Sequence, residues 1–173
     1  MAQSPLGLEW EKIHRVYHTP ENFKYYSGDV AYGELAFVGT DRFLGAETEL
    51  QIFFLKNKIS RAILILGPSG VDTCDCLKKY RSIVKFLTKK YGPYRHKNLI
   101  KDPIISELVY VSSCYPIKLG MMSLETIWLT NKFKISSNLI GDDEGVYIEI
   151  EYSVLLRSGE ESKVNTRKVL KRL

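Results

Sequence analysis

The stretch from Gly67 to Tyr94, GPSGVDTCDCLKKYRSIVKFLTKKYGPY, decides the fold class. Its apolar side chains fall at Leu77, Tyr80, Val84, Leu87 and Tyr91, three and four residues apart, and Ile83 and Phe86 widen the stripe. Residues so spaced share one face of an α-helix. Lys78, Lys79, Arg81, Lys85, Lys89 and Lys90 take much of the remainder, so one side is expected in the core and the other in water. Asp72 is read as the N-cap, its carboxylate accepting from the free amides of the first turn. Asp75 adds negative charge near the positive end of the helix dipole, and Lys89 and Lys90 place positive charge at the other. Gly92 suits the left-handed position after the last turn, and Pro93 blocks continuation. The spacing predicts one helix over 72–91, about 20 residues and about 30 Å long.

Outward from this helix the pattern turns to strands. Glu47 to Lys56 alternates Thr48, Leu50, Ile52 and Phe54 with Glu49, Gln51 and Phe53. Ile59 to Leu66 comes after a short break at Asn57-Lys58, so the two read as a hairpin. Val30 to Val38 is a further strand, interrupted by Gly33. After the helix, 93–103 reads as a loop, Ile104 to Cys114 as β, and Pro116 to Met122 as a connection. Leu124 to Thr130 and Phe133 to Ser137 form a second hairpin. Val146 to Leu155 alternates most regularly: Val146, Ile148, Ile150, Tyr152 and Val154 face one way, Tyr147, Glu149, Glu151 and Ser153 the other. One packed and one wet face belongs to antiparallel sheets. Residues 8–18 (LEWEKIHRVYH) carry a short amphipathic helix, and 21–26 a further turn of it. Strands and helices do not alternate regularly, so a doubly wound parallel sheet is not expected. The predicted fold is α+β: a curved antiparallel sheet of about six to seven strands on one long helix, with a short N-terminal helix.

The chain of 173 residues carries a net charge of +5, distributed unevenly. Arg157, Lys163, Arg167, Lys168, Lys171 and Arg172 face only Glu160 and Glu161, so most of the excess lies in the last seventeen residues. The reading is a single domain over 1–156 and a basic, partly disordered tail over 157–173. The body is then close to neutral, which argues against nucleic acid as its partner and leaves weak anion contact to the tail. No stretch of about 18 apolar residues is present, so no helical membrane span is predicted. The start, MAQSPLGLEW, lacks the basic and apolar regions of a signal peptide but resembles the first residues of a chain cleaved after a small side chain. Periplasmic or secreted and cytoplasmic locations both stay open, the former preferred.

Several residue groups invite chemistry. His14 and His18 stand four apart on a helical pattern, a metal half-site geometry without the glutamate of HExxH. Cys74 and Cys76 lie at a helix start, where a thiolate is stabilised. Their CxC spacing and the intervening Asp75 oppose a redox or zinc site. A bridge from one of them to Cys114 and three reduced cysteines are both compatible with the sequence. Gly67-Pro68-Ser69-Gly70 lacks the lysine of a phosphate loop, and Asp142-Asp143-Glu144 lacks calcium-loop spacing. Glu149 and Glu151, with Glu49 as a neighbour, are candidate paired carboxylates. Tyr91, Tyr94, Tyr110 and Trp128 are the candidate ligand-binding aromatics. No catalytic residue and no cofactor is assigned.

Four short segments, Gly7-Leu8-Glu9-Trp10, Phe53-Phe54-Leu55-Lys56-Asn57-Lys58-Ile59, Lys90-Tyr91-Gly92-Pro93 and Thr126-Ile127-Trp128-Leu129, fall in an order that resembles a group of small bacterial envelope proteins. Glu11 stands where that group carries glycine, and the lipid-anchor cysteine is missing. The resemblance implies an envelope or secreted location and brings no catalytic residues with it. The functional expectation is a non-enzymatic binding or interaction domain that contacts a protein or an apolar ligand through the sheet or the sheet–helix cleft. The alternatives are a small thiol-dependent or hydrolytic enzyme using Cys74 or Cys76, and a cytosolic protein with an anion-binding tail.

Overall fold

In the computed structural model the alternation of residues 146–155 becomes a strand, Gly145–Val154, whose pairing organises the molecule. The structure describes residues 6, 8, 10, 23–26, 34–55, 58–68, 71, 75–100 and 114–155, with 23–26, 34–37 and 95–100 as backbone. In chain order the elements are β1 (Phe23–Tyr26), β2 (Glu34–Phe43), β3 (Ala46–Leu55), β4 (Lys58–Leu66), α1 (Cys76–Tyr91), β5 (Arg95–Ile100), α2 (Tyr115–Lys118), β6 (Met122–Leu129), β7 (Phe133–Asp142) and β8 (Gly145–Val154). The eight strands form one antiparallel sheet in the order β1-β2-β3-β4-β8-β7-β6-β5. Two four-stranded meanders therefore meet at β4–β8, where Ala62 lies opposite Tyr152 and Leu66 opposite Ile148. The architecture is α+β, weighted to β.

The β3–β4 hairpin and β8 stand close to their predicted limits, and several elements differ. The helix is 16 residues, starting at Cys76 and not at 72; Asp75 precedes it and makes no side-chain capping bond, while Asp72 lies outside the described residues. Its end falls where expected, at Gly92 before Pro93, though Gly92 has φ 87° with ψ −161°, a conformation open to glycine and not the left-handed helical one; its N–H donates to the Thr88 carbonyl at 2.9 Å. Phe23–Tyr26 is a strand and not a helical turn. Arg95–Ile100 is a strand and not loop, an edge strand held by the free side of β6. The connection at 116–122 contains α2, and the described end of the expected 104–114 strand, Cys114, is the residue before that helix. β7 runs on through Ser137 to Asp142, and the turn to β8 is only Asp143-Glu144. The predicted N-terminal helix and the tail at 157–173 lie outside the described residues apart from Leu8 and Trp10.

The core lies on the sheet face that meets α1. Leu64, Leu66, Ile135, Leu139, Ile148 and Ile150 are fully buried there, in one cluster with Cys76, Leu77, Tyr80, Ile83 and Leu87 of α1. An isolated 16-residue helix with like charges at Arg81–Lys85 and Lys85–Lys89 would be marginal, each pair costing roughly 0.2–0.5 kcal/mol. Each large apolar side chain it buries contributes about 1.5–3 kcal/mol, so packing and not local propensity holds it. A disulfide between Cys76 and Cys114 ties the start of α1 to the start of α2. Both cysteines are buried. Gly141 of β7 completes the attachment of α2: a β-carbon there would overlap the Ile117 carbonyl.

Candidate functional site

The interface of α1 with β6–β8 holds two neighbouring groups of polar and aromatic side chains. Antiparallel register aligns Thr126 with Ser137 and Ile150 in one row across the sheet, and Trp128 with Ile135 and Tyr152 in the next. Apolar residues would be expected throughout this inner face, yet Thr126 and Ser137 are fully buried hydroxyls. Tyr80 explains part of this. Its hydroxyl lies 2.8 Å from Thr126 Oγ1 and donates to the Ser137 carbonyl at 3.0 Å. Burial pushes the Tyr80 phenol well above the usual tyrosine range, offset in part by the Thr126 contact. At neutral pH it is a hydrogen-bonding group and not a base. Ser137 Oγ itself is buried without a partner among the described residues.

The second group closes the C-terminal end of α1. Tyr94 rests on Trp128 with ring centroids 5.9 Å apart, and Tyr91 meets Tyr152 edge-on at 6.2 Å. Trp10 packs edge-on against Phe133 at 5.0 Å, in the next row of the sheet. Trp128 is 0% exposed, and its indole Nε1 has no hydrogen-bond acceptor among the described residues. Tyr94 is 46% exposed and comes directly after Gly92-Pro93. Burial, and then the nearby Tyr91, push the Tyr152 phenol far up, so this group too is neutral.

Of the predicted binding aromatics, Tyr91, Tyr94 and Trp128 thus gather at one end of the helix–sheet interface, and Tyr110 lies outside the described residues. Tyr80, Thr126, Ser137 and Tyr152 join them unforeseen. Their signal was available in part: Thr126 and Ser137 interrupt apolar faces in register with one another. Cys76 and Cys114 are joined, so Cys76 carries no free thiolate, while Cys74, His14 and His18 lie outside the described residues. Among the described residues no cluster of three His, Cys, Asp or Glu is placed to hold a metal.

The opposite face of the sheet carries the predicted carboxylates. Glu149 and Glu151 are half-buried on β8, beside Asn138 and Ser136 of β7. Glu49 shares the row of Glu149 but stands across β4 from it, with Ile65 between, so the two are not a pair. Burial and then the charge of Glu151 raise the Glu149 carboxyl. At the end of the same face the Arg61 guanidinium lies 4.0 Å over the Phe53 ring, beside the register shift between Phe53 and Phe54.

No protein-family model matches this chain, and neither a curated protein nor a solved structure is similar to it at a significant level. No helix among the described residues is long and apolar enough to cross a membrane.

Proposed function

We propose that the chain is a non-enzymatic binding domain of a bacterial envelope or secreted protein, and that it takes a small apolar ligand at the aromatic end of the helix–sheet interface. The observation that carries this reading is the Trp128 indole, wholly buried with its N–H unmade among the described residues. A buried donor left unsatisfied costs about 1–3 kcal/mol, and a ligand acceptor delivered to Nε1 recovers it. Tyr94 covers Trp128 from outside and sits beside the Gly92-Pro93 corner, so its displacement opens a path to the indole. The ligand is then flat and largely apolar, with a carbonyl or anionic oxygen at one end. The sheet curves round α1 in this reading, because Phe43 at the far end of β2 meets Phe86 of α1 edge-on at 5.6 Å. The buried Cys76–Cys114 disulfide supports an oxidising compartment, as does the resemblance to envelope proteins.

The test uses the full chain with Trp10→Phe, which leaves Trp128 as the one tryptophan. Titration with anilinonaphthalene sulfonate, a flat apolar probe with anionic oxygens, should change Trp128 fluorescence with one site per chain. Trp128→Phe in the native background should weaken binding of the probe about five- to tenfold, since about 1–1.5 kcal/mol of hydrogen bonding is lost. Equal affinity of Tyr94→Ala, Trp128→Phe and the unmodified chain would remove the site.

A second reading places a basic protein partner on the open sheet face, where half-buried Ile63, Ile65, Ile127 and Ile140 interleave with Glu125, Glu149 and Glu151. Salt-sensitive binding of an oligolysine peptide that disappears in Glu149→Gln/Glu151→Gln supports this second reading, and unchanged binding rejects it.

A further inference from the structure

Helix α1, CLKKYRSIVKFLTKKY, contains six lysine and arginine residues and no acid. Lys78, Arg81, Lys85 and Lys89 lie in one narrow stripe on the side away from the core, and no ion pair joins them to a carboxylate among the described residues. A helix face that is merely solvated gains by interleaving glutamate with lysine at i,i+4; this one leaves its like charges unrelieved.

A second, independent feature lies alongside. The β2–β3 hairpin turns on Leu44-Gly45, both with positive φ, 50° and 82°. Such a turn prefers Asn or Asp before Gly, and leucine pays a steric cost in that conformation. Leu44 is nevertheless 47% exposed at the tip. Phe43, next to it, packs edge-on against Phe86 of α1, itself 38% exposed. An apolar tip held in an unfavoured backbone conformation beside a helix face that is basic and carries no acid is an arrangement water does not reward. An anionic bilayer accommodates both parts: lipid phosphates meet the stripe, and Leu44 with Phe86 enters the boundary below the headgroups. A nucleic acid would satisfy the cations and leave Leu44 without a partner.

We propose that the α1 basic stripe and the Leu44 tip together form a docking surface for a bilayer rich in anionic lipid. This surface is separate from the Trp128 site, so each stands or fails without the other. The protein lies on the membrane and does not span it.

Two variants test the surface while sparing the fold. Lys85→Gln/Lys89→Gln keeps helix propensity and removes two like-charge contacts. Leu44→Asn gives the turn a residue it prefers. Leu44→Asn should therefore unfold at the same temperature as the native chain or higher, and Lys85→Gln/Lys89→Gln close to it, since loss of the favourable Lys89 charge in the last turn offsets the relieved repulsion. The full chain is sedimented with phosphatidylcholine vesicles with and without phosphatidylglycerol. The expected result is binding to the anionic vesicles alone, weakened by added salt. It should fall roughly 25-fold in Lys85→Gln/Lys89→Gln, at about fivefold per basic residue. It should fall about three- to tenfold in Leu44→Asn through lost apolar insertion. The basic segment 157–173 is common to all three chains, so its contribution cancels in the comparison. Equal sedimentation with neutral vesicles, no sedimentation, native-like binding by either variant, or tighter binding to single-stranded RNA than to the anionic vesicles overturns the proposal.

Discussion

The Tyr80 hydroxyl, carried by α1, meets Thr126 Oγ1 of β6 at 2.8 Å in the middle of an otherwise apolar interface. The contact fixes how far along the sheet the helix sits, because the same hydroxyl donates to the Ser137 carbonyl. Tyr80→Phe keeps the ring and removes both hydrogen bonds made by the phenol. It should destabilise the protein by about 1–2 kcal/mol, seen as a lower urea midpoint with unchanged slope. A neutral effect would mean that the apolar contacts alone set the helix position.

Alkaline pH should unfold the protein through the same phenol. Tyr80 and Tyr152 both have their pKa raised by burial from the ordinary 10.0, so the folded state holds them neutral while the unfolded chain ionises. Their contribution is complete below about pH 10 and is lost as pH rises beyond it. Melting temperature should therefore fall above that pH, and the fall should be shallower in Tyr80→Phe. Calorimetry from about pH 8 to about pH 11 reads the difference, and parallel curves would rule out the linkage.

At the acidic end Glu149 works in the opposite sense to a salt-bridged carboxylate. Burial and Glu151 raise its folded pKa, so its charge opposes folding at neutral pH and protonation on acidification removes that opposition. Glu149→Gln should melt higher than the native protein at neutral pH, and the gain should vanish as pH drops through the ordinary glutamate range. A variant less stable than native at neutral pH would show that the carboxylate is paired favourably.

The Cys76–Cys114 bond closes a loop with a sequence separation of 38 and should contribute about 4 kcal/mol, chiefly by restricting the unfolded chain. Cys114→Ser should lower the denaturant midpoint accordingly. Because both cysteines are buried, dithiothreitol should reduce the native protein far more slowly than the chain in guanidinium. Mass spectrometry after alkylation distinguishes the two, and equal rates would place the bond at the surface.

Gly141 is required for a different reason. A β-carbon would come within 2.7 Å of Lys118 Cα as well as overlapping the Ile117 carbonyl, and backbone cannot give way as a side-chain end can. Gly141→Ala should cost about 1–3 kcal/mol and loosen α2. Gly45→Ala, where nothing lies within 4 Å, separates crowding from backbone strain, since only its positive φ resists the change.

How much of this was legible in the sequence depends on whether the cause is local. The β3–β4 hairpin and β8 arise from alternation, and the end of α1 from Gly92-Pro93. β5 was not legible, because RHKNLI has no alternation and becomes a strand only where the edge of β6 offers partners, Lys97 opposite Glu125 and Leu99 opposite Ser123. β7 was cut short at Ser137 because a polar run there reads as the end of a strand. Tyr80, distant in sequence, is what pairs the buried Thr126 hydroxyl and the Ser137 carbonyl, while the Ser137 hydroxyl has no partner among the described residues. Tyr91, Tyr94 and Trp128 could be named as aromatics, but their meeting depends on a register that no local spacing encodes. The bridge to Cys114 falls to Cys76, buried at the helix start, and no local spacing encodes that pairing.

The seam between the two meanders imposes a timetable on biosynthesis. Strands β1 to β4 can pair as soon as they are made, but the outer edge of β4, carrying Leu64 and Leu66, finds its partner only when the chain has been made through Ser153. Until then the half-built sheet displays an apolar strand with unused backbone donors and acceptors, the kind of edge on which other chains nucleate. The newborn protein is thus most exposed to aggregation just before completion, and a chaperone that shields β4 during that interval would raise its yield without altering the finished molecule.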